Sequence, residues 1–410
     1  MKKVESNRRI TLIGALILVL ITWYIMPLVK YYVRDLYALI YGMALCFFCA
    51  LNSKEASKYF VLSFLSALLL ATIVSAFAYN FSFQPLYSLL IHLLLFFCVP
   101  PTLFLYIKKH MSLGELDVIV KAITVIILTV FVSSFIVLLS YPEAARALAS
   151  SSASNELLNR WRRSNVGGFN FTYSMGLFFL LTIDRLKGAK GYFKGTCILM
   201  LICMAYFFLM AQYVTLLIIL TGVSMIYVIM QNQKNGGVLA VGGFLILLIL
   251  INLAGIFRFF AGVIESEIIS RRLYEVAEFL AGGEMGVSME SRWDVYMEGL
   301  QYFIKSPIWG NNVESYGGID IWHSTVIEYL VKTGLIGITI YFVLFKNATA
   351  KTFISKGKSK SKLVIPCMIY FVVLSILNPT QYAHEIAILL WLFIPLILLK
   401  EEKKGEVMEN

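Results

Sequence analysis

Long apolar runs alternate with short polar segments along almost the whole chain. Each run is about 20 residues long, the length of an α-helix that crosses the hydrocarbon core of a bilayer. About twelve such runs can be counted, so the pattern predicts an all-α, polytopic membrane protein with about twelve transmembrane helices. The predicted spans are Ile10–Leu28, Leu36–Leu51, Tyr59–Tyr79, Leu86–Ile107, Val118–Ser140, Phe169–Ile183, Thr196–Met210, Tyr213–Met230, Gly237–Phe257, Ser324–Phe345, Leu363–Leu377 and Glu385–Leu399.

Composition supports the same class. Hydrophobic residues make up 59% of the chain, charged residues 14%, and the mean hydropathy is +0.79, whereas soluble globular proteins carry about 25% charged residues. The first run is too long for a signal-peptide core and lacks a small-residue cleavage site, so we expect it to be a membrane anchor. No internal repeat is evident, which argues against a transporter built from duplicated halves.

One long polar segment, Arg258–Ile321, interrupts the apolar pattern. It divides the chain into transmembrane helices 1 to 9 (residues 1–257), a large extracytoplasmic loop (258–322), and helices 10 to 12 with a cytoplasmic tail (323–410). A folded loop outside the bilayer is a common place for chemistry or recognition. We therefore expect the functional residues to concentrate there.

Lysine and arginine set the predicted orientation. With the N-terminus inside, 22 basic residues fall on the cytoplasmic side and 11 on the outer side. Because basic residues favour the cytoplasmic loops, both termini are predicted to be cytoplasmic and the 258–322 loop to face outward.

The two basic residue types divide differently between the sides. Nine of the 12 arginines face outward in this topology, but only Lys30 and Lys305 of the 23 lysines do. Guanidinium groups bind phosphate or carboxylate bidentately and stay charged when partly buried. The pattern indicates an outward-facing anionic ligand, with a pyrophosphate as the natural candidate. The alternative is that these arginines pair with acids of the loop, such as Glu265, Glu267 and Glu275.

Two helices are predicted within the loop. The first carries Ile264, Ile268, Leu273, Val276 and Leu280 near helical spacing, ends at Gly282-Gly283, and is amphipathic. The second is predicted to start after Ser291 as N-cap and to run to about Ile304. Its proposed apolar face consists of Trp293, Tyr296, Leu300 and Phe303. Arg292 then falls in the first turn, where the helix dipole disfavours a cation.

The tenth span is expected to begin at Thr325, which has capping-box spacing to Glu328. His323 lies just ahead, so Arg292 and His323 are predicted to converge on one anion site, although His323 could instead satisfy a nearby carbonyl. Farther along the span, Glu328 and Lys332 are four residues apart and should neutralise each other. His92 and His384, elsewhere in apolar spans, are interpreted as packing residues.

The order of these motifs resembles the O-antigen ligase/polymerase superfamily, and most of all the Wzy-type polymerases of bacterial surface polysaccharides. The matching residues in the loop are Ser291-Arg292-Trp293 with Tyr296, Phe303, Pro307-x-x-Gly310, His323-Ser324 and Gly334-Leu335-Ile336-Gly337. Arg163 followed by Gly167-Gly168-Phe169-Asn170-Phe171-Thr172-Tyr173 is similar to another outward segment of those polymerases. The resemblance covers roughly residues 160–345.

The resemblance implies a GT-C-like membrane glycosyltransferase that acts on undecaprenyl-diphosphate-linked glycans without a metal or other cofactor. Arg292 and His323 would be its catalytic residues, and the pyrophosphate or glycan would be bound by Arg160, Arg163, Arg271, Arg272, Trp293 and Tyr296. Many members also carry a Ser-Arg pair at the outer end of a central helix, where this chain has Gln212-Tyr213. Arg163 or Arg271 would then have to replace that arginine.

The expected reaction joins an acceptor sugar hydroxyl to the anomeric carbon of a lipid-linked donor. Arginines would stabilise the departing pyrophosphate, and His323 would take the acceptor proton. Asp294, Glu314 and Asp320 are rival bases. Expected partners are the lipid-linked oligosaccharide, membrane lipids, and flippase and chain-length regulator proteins, without nucleic acid. The alternatives are a ligase that transfers a finished glycan, and a transporter of lipid-linked sugars. The expected location is the bacterial cytoplasmic membrane.

Overall fold

The computed structural model describes residues 10–150, 154–211, 213–231, 252–263, 267–281, 287–312, 324–353 and 362–409. Every regular element within these ranges is helical. The helices are Leu12–Ile25, Pro27–Tyr32, Asp35–Asn52, Lys54–Ala78, Phe83–His110, Leu113–Ser140, Ala144–Ser150, Asn155–Arg163, Phe169–Gly188, Gly191–Met210, Val214–Gln231, Leu253–Val263, Glu267–Leu280, Val287–Lys305, Thr325–Phe353 and Val364–Leu377. A short 3₁₀ turn at Thr380–Tyr382 leads into the last helix, which starts as His384–Ile388 and ends as Ile394–Glu409.

Six helices are long and apolar enough to cross a membrane: Asp35–Asn52, Lys54–Ala78, Phe83–His110, Leu113–Ser140, Gly191–Met210 and Thr325–Phe353. Four shorter apolar helices lie near the predicted spans one, eight, nine and eleven. The fold is therefore that of a helical protein with several membrane-length helices. Twelve full spans are not found among the described residues, and most of the predicted ninth span, Gly237–Phe257, lies outside them.

Burial separates central helices from peripheral ones. In Phe83–His110, 83% of the apolar window lies inside the protein, against 22% in Gly191–Met210. The peripheral helices present large apolar side chains to the outside, including Leu65, Ile136 and Ile202. Apolar surface on this scale is unstable in water but suits a lipid environment.

Prolines shape the two central helices. A π-helical turn at Leu94–Cys98 precedes Pro100-Pro101, and another at Leu389–Phe393 precedes Pro395. Proline lacks an N–H and clashes with the preceding turn, so carbonyl groups lose their helical donors. Tyr59 supplies one replacement, donating its hydroxyl to the Phe97 carbonyl at 2.5 Å. The Phe97 carbonyl is thus satisfied, as an apolar environment requires.

The helices predicted in the 258–322 loop form with altered limits. The first ends at Leu280, as Gly282-Gly283 indicated, and buries Leu273. The second begins at Val287, so Ser291 is not its N-cap and Arg292 is its sixth residue rather than part of the first turn. Met289 and Glu290 are good helix formers, which extends the helix towards its N-terminus.

The apolar face predicted for the second helix is only half correct. Trp293 and Leu300 are exposed, whereas Tyr296 donates its hydroxyl to the Leu377 carbonyl at 3.1 Å. The predicted boundary between residues 257 and 258 also falls inside the helix Leu253–Val263.

The alternating helices bring distinct groups to the two ends of the bundle. At one end, called the Arg163 end below, Arg163 contacts Tyr31 and Lys30 pairs with Glu385. At the other, called the Lys403 end, Lys403 donates to the Met111 carbonyl at 2.8 Å. Other basic groups at the Lys403 end are Arg185, Lys187, Lys362 and Lys400.

Candidate functional site

Arg160 and Arg163 occupy the last turn of the amphipathic helix Asn155–Arg163, together with Arg162. Ser154 caps the helix start by accepting the Leu157 N–H at 3.4 Å. Cations near a helix C-terminus are favoured by the helix dipole. In the part of the chain that the structure describes, Arg160 and Arg162 have no ion-pair partner, so this turn presents positive charge at the Arg163 end.

Tyr31 holds Arg163 in place. The guanidinium donates to the Tyr31 hydroxyl at 2.9 Å and lies 5.1 Å from the centre of that ring. This hydrogen bond, together with the charge of the phenol, raises the pKa of Arg163 above its ordinary value. The side chain remains exposed, so its remaining donors can reach a ligand.

The backbone that follows Arg163 is fixed by cross-links. Asn165 adopts a left-handed conformation with φ +60° and accepts the Leu28 N–H at 3.2 Å. Gly167 donates its N–H to the Ser134 hydroxyl at 2.8 Å. Asn170 donates to the Tyr382 carbonyl at 3.1 Å. The segment that resembles the polymerases thus contacts three other parts of the Arg163 end.

Two other outward arginines are paired with acids. Arg258 contacts Glu278 at 2.9 Å, and Arg271 contacts Glu275 at 3.3 Å. These two arginines thus make acid pairs of the kind that the alternative interpretation describes, although the Arg271 side chain is still 73% exposed. The side chains of Arg272 and Arg292, and all of His323, lie outside the described part of the chain, so the predicted convergence of Arg292 and His323 stays a prediction.

Tyr213, at the position where the resemblance to the polymerases predicts an arginine, is packed inside an aromatic group. Its ring lies 5.7 Å from Phe169 and 5.5 Å from Tyr173, and its hydroxyl donates to the Ala145 carbonyl at 3.2 Å. The position thus joins the Gly167–Tyr173 segment to the helix Ala144–Ser150, which carries Arg146.

The motifs Pro307-x-x-Gly310 and Gly334–Gly337 contact each other directly. Leu335 donates its N–H to the Pro307 carbonyl at 2.8 Å. Gly310 and Gly334 both have positive φ, at +82° and +59°. A Cβ on Gly310 would lie 2.3 Å from the Thr333 nitrogen, and one on Gly334 would lie 2.4 Å from the Ile308 carbonyl oxygen. Only glycine fits at either position.

A cluster of polar residues, five of them buried, lies at the same end of the bundle as the arginine turn formed by Arg160, Arg162 and Arg163. We call it the Glu385 cluster, and its members are Lys30, His92, Glu328, Lys332, Gln381, Tyr382, His384 and Glu385. Lys30 pairs with Glu385 at 2.6 Å, and the ring nitrogens Nδ1 of His92 and Nε2 of His384 are 2.9 Å apart. Their rings stack with centroids 5.0 Å apart.

The second half of the cluster is organised around Glu328. Lys332 contacts its Oε1 at 2.9 Å, as predicted from their spacing, and Gln381 donates to its Oε2 at 2.6 Å. Tyr382 links the halves, because its hydroxyl donates to Glu328 at 3.3 Å while its ring lies 4.8 Å from His92.

The predicted capping box is wrong, although the helix does begin at Thr325. Ser324 caps the helix, accepting the Ile327 N–H at 3.2 Å, and Thr325 instead donates to Gln381 and the Asn378 carbonyl. The Glu328 carboxylate does not bond the backbone N–H groups at the helix start. It binds the Lys332 ammonium and the Gln381 amide instead, and a hydrogen bond from a charged donor is the stronger one.

Some polar atoms near the cluster lack partners. Among the described residues, Oε2 of Glu385, Nδ2 of Asn378 and the hydroxyl of Tyr329 are buried without a hydrogen bond. Such groups call for a further partner, because burial without one costs about 1–3 kcal/mol. The described residues contain no set of three metal-binding side chains. Chemically, the cluster offers two carboxylates, two ammonium groups and a pair of histidines.

The sequence interpretation missed most of this cluster. It assigned His92 and His384 to packing. His384 is buried and His92 is half-buried, but each is also the other's polar partner. Two signals were available: Lys30 is one of only two predicted outward lysines, and Asn378–Glu385 is a polar run between two apolar helices. No protein-family model matches the chain, and no curated protein matches it.

Proposed function

We propose that this protein is a membrane glycosyltransferase that polymerises undecaprenyl-diphosphate-linked oligosaccharide repeats into a surface polysaccharide. The Arg163 end would face outward from the bacterial cytoplasmic membrane, with both termini in the cytoplasm. The observation that carries the proposal is the pairing of two features at this end: exposed arginines on one fixed turn, and a buried cluster of acid–base groups beside them.

The arginine turn suits a lipid-linked diphosphate. Arg163 is exposed and held by Tyr31, and Arg160 and Arg162 add charge on the same turn. Guanidinium groups bind phosphate oxygens in a forked geometry. As the bond from the anomeric carbon to the diphosphate breaks, these cations stabilise the charge that develops on the leaving group.

The other half of the reaction is transfer to a sugar hydroxyl. The acceptor oxygen attacks the anomeric carbon, the carbon–oxygen bond to the diphosphate breaks, and the diphosphate keeps the electron pair. The leaving group is already activated, so no nucleotide is required. Arg292 and His323 remain the proposed catalytic residues of the loop, and Arg271, Arg272, Trp293 and Tyr296 its further ligand contacts. Exposed Trp293 offers a ring face to a sugar.

A ligase is the second candidate, because its donor is also a polyprenyl-diphosphate-linked glycan and the same arginine turn would serve it. The Gly167–Tyr173 segment, which is more similar to the polymerases, favours polymerisation. A transporter of lipid-linked sugars is less well supported.

Surface glycan from a strain lacking this protein separates the candidates. Loss of a polymerase leaves single repeats on the lipid carrier or final acceptor, because donor and acceptor are the same repeat. Loss of a ligase leaves long chains on the carrier. Gel electrophoresis of both fractions should show single repeats only. Accumulation of long carrier-linked chains would contradict the polymerase proposal and support the ligase. Unchanged surface glycan would refute both proposals.

A further inference from the structure

We propose that Glu385 is the general base that takes the proton from the acceptor hydroxyl, and that Lys30 positions it. This inference rests on the proposed function and assigns the proton transfer to Glu385 instead of His323. Glu385 belongs to the first turn of the last helix, at the Arg163 end.

Glu385 has one carboxylate oxygen that is hydrogen-bonded and one that is not. Its Oε1 accepts from Lys30 at 2.6 Å, while Oε2 is buried and has no hydrogen-bond partner among the described residues. The side chain is only 7% exposed. A carboxylate oxygen has two lone pairs, and leaving it dry and unpaired is costly. A sugar hydroxyl that donates to Oε2 removes this cost, and that is the geometry a general base requires.

Positive groups face the Glu385 carboxylate. Glu385 belongs to the first turn of its helix, where the helix dipole favours an anion, and the Lys30 ammonium contacts its Oε1. The residue before it, His384, contacts His92.

Lys30 connects the base to the donor site. It neighbours Tyr31, which holds Arg163, and its own side chain is 21% exposed. Lys30 thus contacts the proposed base through its side chain, and its chain neighbour Tyr31 contacts the proposed donor-binding arginine.

The proton balance is simple. The acceptor O–H bond breaks as its proton moves to Oε2 of Glu385, and the new glycosidic bond forms as the bond to the diphosphate breaks. The diphosphate leaves with the electron pair. The proton then returns from Glu385 to the diphosphate or to water, which regenerates the carboxylate. No oxidant, reductant or additional reactant is needed.

Polymer formation in a deletion strain carrying Glu385→Gln tests the proposal. Glutamine keeps the size of the side chain but removes the base, so polymer should fall about 10²–10⁴-fold at an unchanged membrane level of protein. The matched control is Glu115→Gln, at the opposite end of the bundle. Glu115 also has one bonded oxygen and one buried oxygen without a partner, and its substitution should leave polymer unchanged.

A double variant distinguishes catalysis from structure. Glu385→Gln leaves the Lys30 charge without its partner, whereas Lys30→Met with Glu385→Gln removes both charges. If the effect of Glu385→Gln comes only from the unpaired Lys30 charge, the double variant should restore polymer. The proposal requires that the double variant, at an unchanged membrane level of protein, still lacks polymer. Normal polymer from Glu385→Gln, in a strain whose deletion abolishes polymer, overturns the role of Glu385 and leaves the proposed function intact. Normal polymer in the deletion strain itself instead refutes the proposed function.

Discussion

At the proposed donor site, Arg163 has contacts that account for both the position and the exposure of its guanidinium group. The Tyr31 ring and hydroxyl fix its guanidinium, while the side chain stays exposed. A lysine could contact the ring, but it is a point charge without the planar fork that binds two phosphate oxygens.

Replacing Arg163 by Lys should therefore reduce polymer almost as much as replacing it by Ala, because the charge alone is not sufficient. Polymer length distribution and protein level in membranes give the measurement. Arg185→Lys is the control: Arg185 pairs with Glu401 at the Lys403 end, and its variant should be active. Full activity of Arg163→Lys would argue against bidentate binding.

The pair Glu328–Lys332 is a second residue-scale feature, with both side chains at most 7% exposed. Lys332→Met leaves Glu328 charged and buried, which should cost about 3–5 kcal/mol of unfolding free energy. Adding Glu328→Gln should recover much of that loss. The apparent melting temperature in detergent reports both changes.

Lys121→Met is the matched control for that pair. Lys121 also contacts an acid four residues away, Asp117, but its side chain is 72% exposed, so the loss should stay below about 1 kcal/mol. Equal losses at Lys332 and Lys121 would show that burial does not set the strength of these pairs.

Spacing along one helix explains which residue contacts were predictable. Glu328 and Lys332 are four apart, so their pairing follows from helix geometry. Lys30 and Glu385 are 355 positions apart, and only the packing of helices brings them together. His92 and His384 were interpreted as packing residues because each lies in or beside an apolar run. They are 292 positions apart, so a single sequence does not show that they contact each other.

At the scale of elements, the helix Thr325–Phe353 is broken at Gly334, where φ is 59° and ψ is −154°. This position is about 13 Å along the helix from Thr325, given a rise of about 1.5 Å per residue. Irregular backbone at such depth persists where protein buries it. The 306–312 segment provides that cover, accepting the N–H of Leu335 at Pro307 and placing Trp309 5.2 Å from Phe77.

Gly334→Ala should disrupt this contact. The φ and ψ observed at Gly334 are almost confined to glycine, and an L-residue that adopts them loses about 1–3 kcal/mol of stability. The added Cβ would also lie 2.4 Å from the Ile308 carbonyl oxygen. The expected result is a lower melting temperature and loss of polymer. Gly222→Ala, in a helix with open space around the glycine, should be neutral or stabilising. An unchanged melting temperature for Gly334→Ala would contradict the close contact.

The existence of helices was easier to predict than their starts and faces. Apolar runs predicted most helices, because bilayer length and helix length are coupled. The helix Val287–Lys305 begins five residues before the expected first position, Arg292, because a possible N-cap at Ser291 does not prevent the preceding residues from forming helix. The pairing of Pro307–Gly310 with Gly334–Gly337 could not be derived from periodicity, which carries no information about tertiary contacts.

At the scale of the whole molecule, the two ends differ in charge type. Exposed arginines occupy the Arg163 end, and most of the contacts at the Lys403 end are made by lysines. Under the positive-inside rule, the lysine-rich end is expected to be cytoplasmic.

Reporter fusions test this orientation. Fusions expected to report the outer side are at Gln84, Ser152, Gly286 and Thr380. Fusions expected to report the cytoplasm are at Ser57, Gly188, Gly357 and Glu406. A cytoplasmic signal at Thr380 would place the Glu385 cluster on the wrong side for a lipid-linked glycan at the outer leaflet.

The most direct test of the proposed function is reconstitution. Lipid-linked repeats that accumulate in the deletion strain would be added to the purified protein in liposomes, with EDTA present because the proposed reaction requires no metal. The account predicts a ladder of lipid-linked products that differ by one repeat, and release of undecaprenyl diphosphate in equal number to the new bonds. The proposed function would be contradicted if the repeats stayed single in the presence of correctly folded protein, or if they were transferred only to a different acceptor.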